Sequence, residues 1–157
     1  MKKILTVIFL TALAVTAAAE KATREVQACG KITYLRGNSL TGEKAALEGT
    51  MIFPGEELRA LKDSRLILLL NDGTEFRLAP ESCVKINSFD SKKKSAAIEA
   101  EIKAGKVWIK AAKSGKDSTL SVSAPFCSIK VKNAVLNFDS KGVVAVYYGM
   151  AIAFSKG

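Results

Sequence analysis

Trp108 is the only tryptophan of the 157-residue sequence, and it stands in Lys106-Val107-Trp108-Ile109-Lys110. If that segment is a strand, alternation puts Lys106, Trp108 and Lys110 on one face and Val107 with Ile109 on the other. An indole flanked by two ammonium groups can serve as an aromatic shelf for a sugar ring or as an anchor for an acidic partner. The other outcome of the same pattern is an indole packed beneath a second layer, with the lysine stems beside it. Catalytic chemistry has less to work with. The chain has no histidine, which removes the commonest general base, the commonest metal ligand and every Ser-His or Cys-His pair. The adjacent carboxylates Glu56 and Glu57, or Glu99 and Glu101 two apart, are the remaining acid–base candidates. On a strand Glu99 and Glu101 share one outer face and read as a solvated surface. No cofactor or metal site is expected: no glycine-rich phosphate loop precedes a helix, and no cysteines stand at zinc or thioredoxin spacing.

Cys29, Cys83 and Cys127 allow one disulfide and one free thiol, with three possible pairings. Cys127 keeps phase with Ile129 and Val131, which suits a small buried hydrophobe. Cys83 is out of phase with Val84 and Ile86, beside Lys85 on the opposite face. On that phase argument Cys29 with Cys83 is the favoured bridge.

These residues need elements to position them, and most of the chain has a β rhythm: apolar runs of about five residues between Gly, Asn and Asp punctuation. Lys31 to Arg36 alternates and stops at Gly37-Asn38, and Pro54-Gly55 forbids a helix through Met51 to Leu61. In Ser64 to Leu78, Asp72-Gly73 suits a two-residue type I′ hairpin. That turn sets Leu69 opposite Phe76 and Ile67 opposite Leu78, and leaves Leu66 to Leu70 apolar on both faces, as for a strand under a second layer. Lys92-Lys93-Lys94 reads as a solvated loop tip. Ser95 to Ala104 fits either period; taken with the alternation after it, it reads as a strand, a turn at Gly105 and a second strand. Further strands follow around Leu120 to Ala124, Ile129 and Val131, Val143 to Tyr148, and Met150 to Phe154, with a turn at Asp139-Ser140-Lys141-Gly142.

The N-terminus carries Lys2 and Lys3, an apolar and small-residue run from Ile4 to Ala19, and then Glu20. That is the form of a secretory signal with an Ala17-Ala18-Ala19 exit. The run is short and alanine-rich for a retained span, and charged residues between it and Cys29 disfavour lipidation. The expected organisation is a signal peptide over 1–19, a lead-in over 20–29 and one β domain over 30–157. The mature protein would then be periplasmic or secreted, with no further membrane span. The net charge of +9 falls to +7 when Lys2 and Lys3 leave. Such a surface suits anionic partners, whether headgroups, acidic glycans or acidic protein patches, or simply solubilises the chain. Export and the lack of a reading motif argue against nucleic acid.

Several short pieces, in order, resemble the FecR domain family: Gly30-Lys31-Ile32, Leu47-Glu48-Gly49 with Pro54-Gly55, Asp63-Ser64-Arg65-Leu66, Asp72-Gly73-Thr74-Glu75-Phe76-Arg77-Leu78, Pro80-Glu81-Ser82, Gly105-Lys106-Val107-Trp108 and Ala124-Pro125. Where that family has Val-Arg-Gly-Thr, this chain has Val131-Lys132-Asn133-Ala134; Asn133 tolerates the left-handed backbone, but Ala134 has no hydroxyl to offer. The resemblance implies an all-β periplasmic domain, either a two-layered β-sandwich or a short β-solenoid-like form. It implies a non-catalytic module that binds an envelope protein or a glycan such as peptidoglycan. The alternative is an accessory to a cell-surface signalling system, acting with a separately encoded membrane regulator and sigma factor. Oligomeric state is left open, since edge strands of such a domain can pair between chains.

Overall fold

The computed structural model describes residues 27–90, 97–112 and 119–156. The expected signal segment, most of the lead-in and the Lys92-Lys93-Lys94 tip lie outside them. The described residues form thirteen strands and no helix: β1 (Gly30–Arg36), β2 (Ser39–Thr41), β3 (Lys44–Ala45), β4 (Met51–Ile52), β5 (Glu57–Ala60), β6 (Arg65–Leu70), β7 (Glu75–Leu78), β8 (Cys83–Asp90), β9 (Ala97–Ala104), β10 (Lys106–Lys110), β11 (Thr119–Ser123), β12 (Cys127–Asp139) and β13 (Val144–Ser155). The segment from Ser95 is thus a strand from Ala97 on, and Gly105, at φ 74°, makes the expected turn into β10. No helix among the described residues is long and apolar enough to cross a membrane.

All thirteen strands belong to one sheet, in the order β3-β2-β5-β8-β9-β11-β12-β10-β7-β6-β1-β4, with β13 paired to β12. Every pairing is antiparallel except β9 with β11. The sheet curls into a half-barrel, and a single core fills its inner face. Residues enter that core at the strand period of two: Leu66, Leu68 and Leu70 from β6, Phe76 and Leu78 from β7, Val107 and Ile109 from β10, Leu136 and Phe138 from β12. The all-β reading holds, and curling replaces the separate facing sheets of a sandwich.

The β6–β7 hairpin is one residue out of the expected register. Leu68 lies opposite Phe76 and Leu66 opposite Leu78, with Ile67 facing Arg77 and Leu69 facing Glu75. The loop has three residues, Asn71 to Gly73, because Leu70 N–H bonds Thr74 O at 2.8 Å and Gly73 N–H bonds Leu70 O at 3.0 Å. Asp72 fixes it: its Oδ1 accepts Thr74 N–H at 2.9 Å and its Oδ2 accepts the Thr74 hydroxyl at 2.8 Å. Gly73, at φ 90°, takes the left-handed position of a three-residue hairpin. That single slip sends all the inner leucines to the Phe76 side. Ile67 and Leu69 are left half-buried on the outer face, and among the described residues no second sheet lies over them.

An internal repeat of eighteen residues explains the neighbouring turns. Glu57, Arg59, Asp63 and Ser64 recur as Glu75, Arg77, Glu81 and Ser82. Asp63 and Glu81 both have φ 58°, and each is followed by a fully buried serine. Ser64 Oγ accepts Asn38 N–H at 2.8 Å against Gly37. Ser82 Oγ accepts Lys106 N–H at 3.0 Å and donates to Lys106 O at 2.9 Å, against Gly105. A side chain on Gly105 would start 2.3 Å from Ser82 Oγ, so glycine and serine form one plug. Ser82 thereby fixes the start of β10, which carries Trp108.

Candidate functional site: the outer face around Trp108

Period two on β10 places Lys106 and Lys110 exposed and Trp108 half-buried on the outer face, above buried Val107 and Ile109. The disposition read from the alternation is therefore present. Register fixes the neighbours: Trp108 lies between Arg77 of β7 and Asn137 of β12, and Lys110 between Glu75 and Val135. Lys106 stands opposite Asp139.

The ring is not an open shelf. The Arg77 guanidinium carbon lies 4.3 Å from its centroid, in cation–π contact. Arg77 is itself held by an Nε–H bond to Glu75 Oε1. On the other side of the ring, Asn137 Nδ2 donates to the Tyr147 hydroxyl at 2.6 Å. Glu75, Arg77, Asn137 and Tyr147 thus complete the face. Arg77 was not legible in the sequence because no local pattern makes β7 and β10 neighbours. Glu75-Phe76-Arg77, with two charged residues either side of one buried aromatic, was the signal available.

Neither carboxylate pair forms an acid–base site. Glu56 Oε2 accepts Phe53 N–H at 2.9 Å, which closes a local turn. Glu57 is bonded by Lys103 and lies 3.5 Å from Arg59, and the Lys103 hydrogen bond holds its carboxyl below the usual range. A general acid needs the opposite shift. Glu99 and Glu101 sit on the outer side of β9 opposite Ser88 and Lys85. Among the described residues no three His, Cys, Asp or Glu side chains gather as a metal site.

The structure does not bring Cys29 and Cys83 together, and all three cysteines are free thiols. Cys29 belongs to the core, where its thiol donates to Ile52 O at 3.2 Å and burial raises its pKa to about 11. Cys83 is buried outside that core. There it lines a recess with Arg59, Leu61, Lys62, Glu81, Lys103 and Ala104, and burial raises its pKa too. The phase argument placed Cys83 on the correct face; Cys29, which precedes β1, had no phase to read and lies on the other. Cys127 is half-buried against the core, in phase with Ile129 and Val131.

Asn133 has φ 45°, so the residue at the family's glycine position does hold the left-handed backbone. Ala134 is buried beneath it, and Gly149 crosses so closely that an added Cβ would lie 2.0 Å from Asn133 O. The pair bends the β12–β13 hairpin, and the register shifts between Lys132 and Val135. Beyond the bend, β12 lies beside β10 and supplies Asn137 to the Trp108 face.

A family model described as FecR protein matches residues 56–151. Comparison with curated proteins and with solved structures gives no match. The matched span begins after the Gly30 and Leu47 pieces. It takes in both acidic–serine turns, the Asp72 hairpin, Gly105 to Trp108 and the Asn133 bend. With more than half the chain matched, and the whole Trp108 face within that span, this protein belongs to the FecR family.

Proposed function

We propose that this chain is a non-catalytic interaction module of an envelope signalling system, and that it docks an acidic partner protein on the outer face around Trp108. The family is one of signalling-related regulator components whose domain typically faces the periplasm. The leader-like residues 1–19 agree with that location. The observation that carries the reading is the cluster of Lys106, Arg77 and Lys110 around a half-buried indole, on strands fixed by the sheet. Exposed cations steer an anionic partner, while the indole and the methylene stems supply apolar contact.

Arg77 favours a protein partner over a glycan. Sugar stacking uses an open aromatic face, and here a guanidinium covers one. The test is retention of envelope proteins by the immobilised protein at low and high salt, with Lys106→Glu/Lys110→Glu alongside. Salt-sensitive retention of a discrete acidic protein, lost on charge reversal, supports the reading. Retention indifferent to both changes contradicts it. Cosedimentation with purified peptidoglycan sacculi that depends on Trp108 would replace the protein partner by a glycan.

A further inference from the structure

β13 pairs β12 along one edge, and among the described residues no strand pairs its other edge. It is twelve residues long, about 40 Å at roughly 3.4 Å per residue, and carries no charged side chain. Val146, Tyr147, Tyr148, Met150, Ile152 and Phe154 are all between 44% and 64% exposed. Edge strands are ordinarily shortened, charged or covered, because their free N–H and C=O groups recruit other strands. Among the described residues β13 is neither shortened, charged nor covered.

We infer that β13 pairs antiparallel with β13 of a second copy, around a two-fold axis near Met150. Two features fit a second copy. The first is charge: the protein is strongly basic, yet this strand is neutral, so two copies can meet along it without lysine facing lysine. The second is backbone direction. Lys156 N–H donates to Phe126 O on the β12 side, so by alternation Ser155, Ala153 and Ala151 direct their backbone groups to the free edge. Around Met150 this sets Gly149 opposite the partner's Ala151 as a hydrogen-bonded pair, and Tyr148 beside the partner's Ile152.

The contact is of modest size. Six half-exposed large side chains at on the order of 100 Å² each offer at most about 600 Å² per copy besides the strand backbone, against the roughly 800 Å² per partner of a standard interface. An isologous pairing closes after two copies and uses up both edges.

The test is sedimentation velocity on the protein recovered after expression of the full chain, with Ile152→Lys in parallel. A dimer is expected, weakened at least tenfold by Ile152→Lys. In a Cys127→Ser background, Met150→Cys should crosslink to itself under mild oxidation. Residues opposite each other in a non-hydrogen-bonded pair lie about 4.5 Å apart at Cα, within disulfide reach. Tyr34→Cys, on exposed β1, should not crosslink. If Ile152→Lys fails to fold, the Met150→Cys result decides alone. A monomer at every concentration up to millimolar, a dimer that Ile152→Lys leaves unchanged, or equal crosslinking at Tyr34 would overturn the pairing.

Discussion

Arg77 lies over Trp108 because β7 and β10 are hydrogen-bonded neighbours, and Glu75 holds the guanidinium in place. Trp108 is the sole tryptophan, so its emission reports on this contact alone. Arg77→Ala should uncover the ring: emission shifts to the red and acrylamide quenching rises, while stability falls by no more than about 1 kcal/mol. An unchanged spectrum would mean that the guanidinium does not cover the indole in solution. Cys29 gives a second test at this scale. Its folded pKa, about 11, is raised above the ordinary thiol value of 9.0 by burial, so the folded state holds the proton more tightly. Its contribution is complete below the unfolded pKa and is lost as pH rises toward 11, at no more than about 1.4 kcal/mol per pH unit. Urea midpoints measured from pH 8 to 11 should fall less steeply for Cys29→Ala; identical slopes would place the alkaline loss elsewhere. At residue scale, the outward disposition of Lys106, Trp108 and Lys110 was legible, since alternation within one strand determines it. Arg77, Asn137 and Tyr147 were not, because they depend on which strands become neighbours.

At the scale of elements, turns set register, and two different turn chemistries operate here. Asp72 closes a three-residue loop through its bonds to Thr74, whereas the Asp-Gly dipeptide alone suggests a two-residue one. The apolar runs were readable, but leucines at 66, 68, 69 and 70 with isoleucine at 67 suit either register, so the pattern could not choose between them. The serine plugs are less ambiguous in effect. Ser82→Ala leaves Lys106 N–H without its partner in a partly buried site and should cost about 1–3 kcal/mol, measured by urea denaturation. Little change would mean that the start of β10 is held by other contacts. The Asn133–Gly149 bend makes a sharper contrast. Gly149→Ala meets Asn133 O and requires positive φ of a residue with a side chain, so a loss above about 2 kcal/mol is expected. Asn133→Gly should be tolerated within about 1 kcal/mol, since φ 45° suits glycine at least as well.

At the scale of the whole molecule, one continuous sheet curls around one core and turns the Trp108 face and the β13 edge outward. The all-β class and the family were legible because turn residues recur in a fixed order. The curl was not, because closure depends on long-range pairings such as parallel β9 with β11, which no local pattern encodes. The proposed function requires the outer face around Trp108 to be a docking surface for an acidic protein. The most direct measurement is photocrosslinking in the native host, with benzoylphenylalanine at Lys110 and, as a control on the outer side of β9, at Glu99. A docking surface there should give a discrete protein adduct from position 110 that disappears with Lys106→Glu, and none from position 99. Equal adducts from both positions, or none from position 110 with the protein present at normal levels, would contradict it.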